Sequence, residues 1–127
     1  MSSLPSIVVA ICTYKRNDPL RTLLTALIDV ATASRERARV GVVVVDDNPD
    51  RRAEPVVAEF ANAYPLGIRY RASGKGNISI ARNLAVNTAA EGADWVAMVD
   101  DDCEPEADWL NAYLDILEAT GADCATG

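Results

Sequence analysis

Ile7-Val8-Val9-Ala10-Ile11-Cys12 is an unbroken run of β-prone apolar residues. A strand with one wet face alternates apolar and polar residues, so a run without alternation suits a strand covered on both faces, as in a parallel sheet flanked by helices. It ends at Thr13-Tyr14-Lys15-Arg16. Asn17 or Asp18 then offers a cap for a helix with Pro19 at its first position, and Leu20, Leu23, Leu24, Leu27, Ile28 and Ala31 share one face of it to about Arg35. Val40 to Val45 is a second apolar run, stopping at the turn-forming Asp46-Asp47-Asn48-Pro49. A strand, a helix and a strand have followed one another.

The same alternation continues along the chain. A short helix from Pro55 to about Ala63 turns Val56, Val57 and Phe60 inward, and Ile68-Arg69-Tyr70 reads as a third strand. Ala72 to Asn77 reads as a loop; a helix from about Ser79 carries Ala81, Leu84, Ala85 and Thr88 on its inner side and ends near Gly92. Trp95 to Val99 is the next strand, and Pro105 opens a last helix with Trp109, Leu110, Tyr113, Leu114 and Leu117 as its stripe, closed by Gly121. Strands alternating with helices imply an α/β fold with a mostly parallel sheet and helices on both faces, and such sheets bind ligands beyond the carboxyl ends of their strands.

With 127 residues and 50% hydrophobic content, one modest core and a single domain over 1–127 are expected. The net charge of -7 and scattered arginines argue against nucleic acid, whose binders carry a basic stripe. Cys12, Cys103 and Cys124 have neither zinc-site spacing nor an even count, and there is no His, so free thiols in a reducing cytoplasm are expected, with peripheral membrane attachment compatible. No signal peptide and no bilayer-spanning stretch is expected.

The chemistry gathers at strand ends. Trp95 to Val99 runs into three consecutive carboxylates, Asp100, Asp101 and Asp102. Two like charges about 4 Å apart repel by roughly 4 kcal/mol at an effective dielectric near 20, so such crowding points to a bound cation. Mg²⁺ and Mn²⁺ are held by one or two carboxylates plus substrate phosphates, which makes a metal–diphosphate site the sharper reading and a solvated acidic turn the blander one. On the same rim, Tyr14 offers a face for a nucleobase and Asp47 an acceptor, against the alternatives of a loop aromatic and a turn-and-cap pair formed with Asp46. Arg16 and Arg82 are suited to a diphosphate, Arg82 equally to a salt bridge with a rim aspartate. Gly74-Lys75-Gly76 lacks any phosphate-loop fingerprint and reads as a loop. Cys103, without a His to activate it, reads as a bystander.

Together IVVAICTYKR (Ile7 to Arg16), VVVVDDNPD (Val42 to Asp50), ISIARNLAVNTA (Ile78 to Ala89) and WVAMVDDDCEP (Trp95 to Pro105) resemble the amino-terminal, nucleotide-sugar-binding half of a family 2 glycosyltransferase of the GT-A (Rossmann-like) fold. The last segment is similar to that family's Asp-X-Asp metal motif. The resemblance implies Mn²⁺ or Mg²⁺ held by Asp100 and Asp102, with Asp101 near the ribose or sugar. It places Tyr14 and Asp47 on the base, usually uracil, and Thr13, Arg16 and Arg82 in the nucleotide pocket. The implied partners are a nucleotide-sugar donor, commonly a UDP-sugar, and a saccharide or lipid-linked acceptor, joined in an inverting transfer. Lys15 stands where the family often has Asn, and Asp-Asn-Pro follows Asp46 where Asp-Gly-Ser is commoner. The general base is expected beyond residue 127, so the sheet is expected to be incomplete at its C-terminus, the chain weakly active or inactive alone, and its open edge prone to homo-oligomerisation. Alternatives are a non-catalytic nucleotide-sugar sensor and a phospho-receiver-like domain in which Asp100 takes the phosphoryl group.

Overall fold

The computed structural model describes residues 4–15, 17–48, 50, 52–74 and 77–120. Strands and helices alternate as β1 (Ser6–Thr13), α1 (Asn17–Ala33), β2 (Arg39–Asp46), α2 (Glu54–Glu59), β3 (Ile68–Ala72), α3 (Ile78–Ala90), β4 (Trp95–Asp100) and α4 (Trp109–Thr120). All strand pairs are parallel, in the order β3-β2-β1-β4. The chain moves outward from β1 to β3 and then crosses to the other side of β1, so the strand order reverses between β1 and β4.

The apolar runs behave as their composition demands. Ile7, Val9 and Ile11 of β1 and Val40, Val42 and Val44 of β2 pack with Leu20, Leu23, Leu24, Leu27 and Val30 of α1, Val56 and Val57 of α2, and Leu110 and Leu114 of α4. Val8, Ala10, Val43 and Val45 point the other way and meet Ala81, Ala85 and Ala89 of α3, whose small side chains let the helix lie close to the sheet. Helices therefore cover both faces. Gly41, inside β2, is a packing requirement: a Cβ there would lie 2.9 Å from Cβ of Leu66. None of the helices among the described residues is long and apolar enough to cross a membrane.

Some boundaries differ from those read in the sequence. Asn17 is not a cap but lies inside α1, and its side-chain amide donates to the Arg52 carbonyl at 2.9 Å. Pro19 falls in the first turn, where its missing N–H has no helical partner to lose. α2 ends at Glu59 and gives way to turns, β3 runs on to Ala72, and α4 begins at Trp109 rather than at Pro105. Gly121 and Cys124 lie outside the described residues.

Candidate functional site

Because the strands are parallel, the C-terminal ends of β1, β2 and β4 share one rim, at the reversal of strand order where such sheets open a crevice. A cavity of about 1030 Å³ lies there, lined among others by Thr13, Tyr14, Asp47, Arg82, Asp100, Asp101 and Asp102. Every site residue nominated from the sequence reaches it except Arg16, which with Lys75 lies outside the described residues.

The acidic triplet splits by direction. Asp100 ends β4 with an exposed side chain, its Oδ1 3.9 Å from Nη2 of Arg82 on α3. Asp101 is buried and accepts at Oδ2 a 3.0 Å hydrogen bond from the Thr13 hydroxyl. A turn closed by the Cys103 N–H donating to the Asp100 carbonyl at 3.1 Å carries Asp102 back outward. As a result, ligand atoms of Asp100, Asp102 and Cys103 lie within 4.8 Å of one another. The two carboxylate oxygens suit a hard divalent cation that takes its remaining ligands from elsewhere, whereas the thiol is a soft donor outside the usual set of Mg²⁺ or Mn²⁺. The Cys103 thiol, read from the sequence as a bystander, is within reach of that set.

At the end of β2 the two aspartates take different surroundings. Asp46 is structural: its carboxylate accepts from the N–H groups of Asn48 (3.0 Å) and Ala53 (2.9 Å) and from the Tyr70 hydroxyl (2.9 Å). Asp47 faces the cavity, its Oδ1 accepting from the Ser73 hydroxyl at 2.6 Å and its N–H donating to the Thr13 carbonyl at 3.0 Å. Tyr14 is exposed at the mouth, with the Lys15 ammonium 5.2 Å from its ring centroid. Arg82 lies in the second turn of α3, a helix capped by Asn77, whose side-chain oxygen accepts from the N–H groups of Ser79 (2.9 Å) and Ile80 (3.3 Å).

The floor and far wall were not read from the sequence as part of the site. Cys12, half-buried below the aspartates, has its thiol pushed up to about 11 by burial, with Arg82 opposing and Asp47, Asp100 and Asp101 adding to the rise. It therefore stays a neutral thiol at physiological pH. Trp109 and Tyr113, read as core, pack edge to face with centroids 5.9 Å apart and also line the cavity. Aromatic residues at helical spacing suggest core, and Trp109 does pack against the core of α1 and α4, whereas Tyr113 is half-buried at the cavity wall.

The family model described as Glycosyl transferase family 2 matches residues 8–127. The chain is 33% identical to the succinoglycan biosynthesis protein ExoM of Rhizobium meliloti over 119 residues, covering 94% of this chain and 37% of that protein. It is 26% identical to the glycosyltransferase AglE of Haloferax volcanii over 127 residues, covering 99% of this chain and 40% of that protein. The chain thus spans about two fifths of the length of the curated relatives it matches. Crystal structures of S. aureus TarS share the fold: TarS 1-349 superimposes with a TM-score of 0.75 at 20% identity, over 94% of this chain and 34% of that one. With the alternating strands and helices, the cavity at the strand ends and a family match over nearly its whole length, the chain belongs to glycosyl transferase family 2.

Proposed function

We propose that residues 1–127 form a single domain that binds a nucleotide-sugar donor, commonly a UDP-sugar, for inverting transfer of the sugar to a hydroxyl of a saccharide or lipid-linked acceptor. The observation that carries this reading is the approach of the Asp100 and Asp102 carboxylates to one another in the cavity, with Arg82 beside them. Asp100 and Asp102 would hold Mn²⁺ or Mg²⁺, which when bound supplies Lewis-acid stabilisation of the negative charge growing on the departing nucleoside diphosphate. Arg82 contributes a second positive charge to the same diphosphate, exchanging its long contact with Asp100 for phosphate oxygens, with Arg16 the further candidate. Tyr14 stacks on the base and Asp47, held by Ser73, accepts from a ring N–H, while Thr13 and Asp101 sit at the floor beneath the donor. The similarity to the succinoglycan biosynthesis protein ExoM supports a growing polysaccharide as the acceptor class.

Isothermal titration of the chain with UDP and with GDP, each with and without Mn²⁺, tests this directly. UDP should bind only with the metal, and Asp102→Ala should remove the metal dependence and weaken UDP binding at least about tenfold, about 1.4 kcal/mol. Metal-independent binding of both nucleotides by both proteins would overturn the metal site and leave a plain nucleotide-binding module.

A further inference from the structure

We infer that Thr13 and Asp101 are positioning residues: their buried hydrogen bond sets the turn after β4 so that the carboxylates of Asp100 and Asp102 face the cavity together. The inference rests on the proposed metal site and assigns the middle aspartate a task other than donor contact. Side chains alternate along β4, so Trp95, Ala97 and Val99 pack into the core shared with α1 and α4, and Asp101 continues that series. Asp100 falls in the opposite series and meets Arg82 of α3. On β1, Thr13 continues the series of Ile7, Val9 and Ile11 toward the first core, and the register pairing Cys12 with Asp100 brings Thr13 alongside Asp101. The two side chains are 3% and 7% exposed and bonded at 3.0 Å.

A carboxylate in this place is a costly way to fill space, because burying a charged group disfavours folding unless it is bonded, and an apolar residue would continue the packing of Val99. What the carboxylate adds is direction. With Asp101 drawn under the sheet and held by β1, the turn between Asp100 and Cys103 closes at 3.1 Å, and Asp102 emerges on the same side as Asp100, where their ligand atoms gather within 4.8 Å. Groups that orient metal ligands from behind in this way typically change metal affinity by about 10–100-fold when removed.

Thr13→Val removes the hydroxyl at nearly constant shape, and Thr13→Ser restores it. In metal-free protein, amide hydrogen exchange at Cys103 reports the turn: it should quicken by about tenfold or more in Thr13→Val and return toward the wild-type rate in Thr13→Ser. Mn²⁺ affinity, read by electron paramagnetic resonance without nucleotide, should fall about 10–100-fold in Thr13→Val and recover in Thr13→Ser. Asp101→Asn, which keeps an acceptor oxygen for Thr13, should lose far less Mn²⁺ affinity than Asp100→Asn. Unchanged Cys103 exchange in Thr13→Val overturns the inference, as does an Asp101→Asn loss equal to that of Asp100→Asn, which would make Asp101 a direct ligand. If wild-type protein takes up no Mn²⁺, the metal reading of Asp100 and Asp102 falls, and the exchange measurement alone decides the role of the pair. If Thr13→Val does not fold, Thr13→Ala takes its place in both measurements.

Discussion

Lys15 sits at φ 55°, in the left-handed region that side chains other than glycine and asparagine enter at a cost. The Lys15 ammonium lies against the Tyr14 ring at 5.2 Å, a cation–π contact that offsets part of the strain. Three residues before Lys15, at the end of β1, Cys12 carries a pH prediction. Burial, the leading cause, raises its thiol from an ordinary 9.0 to about 11, so the folded chain keeps a proton that the unfolded chain releases first. The associated stability is present in full below pH 9 and is lost as pH rises toward 11, the direction expected when the folded state binds more protons. Urea titrations across that range should show a decline in unfolding free energy that Cys12→Ala lacks, and at pH 8 peptide mapping after iodoacetamide should find Cys103, which is exposed, alkylated and Cys12 spared. The same decline in Cys12→Ala would assign the effect to other groups.

At the level of elements, α3 matters most to the site because it carries Arg82, and its start depends on Asn77. Replacing an asparagine cap with alanine typically costs about 1 kcal/mol, so Asn77→Ala should lower stability in urea by about that much while Asn77→Asp retains it. Equal stability of the two variants would deny the cap its role. The cap was legible as a residue type, yet the sequence reading put Asn77 in a loop, because a cap is recognised by its bonds to Ser79 and Ile80 rather than by its neighbours. β1 and β2 were legible because burial on both faces leaves an unbroken apolar run. The start of α4 was not: Pro105 is compatible with a first turn but does not compel one, and the chain stays irregular or turned until Trp109. In the site, the rim aspartates were legible from their position after apolar strands. Which of them turns inward was not, since that depends on the register between β4 and β1, and pairing partners 88 residues apart leave no local pattern.

Among the described residues, the order β3-β2-β1-β4 leaves β4 at an edge of the sheet, with Met98 49% exposed and Ile78 55% exposed beside the cavity. Unpaired strand edges flanked by apolar side chains favour pairing with a second copy. The net charge of -7 opposes it, because two copies repel over the Debye length, about 30 Å at 0.01 M salt and about 3 Å at 1 M. The two terms respond differently to salt: repulsion between copies is screened, while burial of Met98 and its neighbours is not weakened. Association should therefore strengthen as salt rises, opposite to an assembly held by ion pairs. Sedimentation velocity over a range of protein concentrations should show a monomer at low ionic strength and a concentration-dependent dimer at high, with Met98→Gln shifting the high-salt distribution back to monomer. A monomer at every salt concentration would mean that the edge of β4 is blunted by its own side chains, and association favoured by low salt would place the contact on charged surfaces instead.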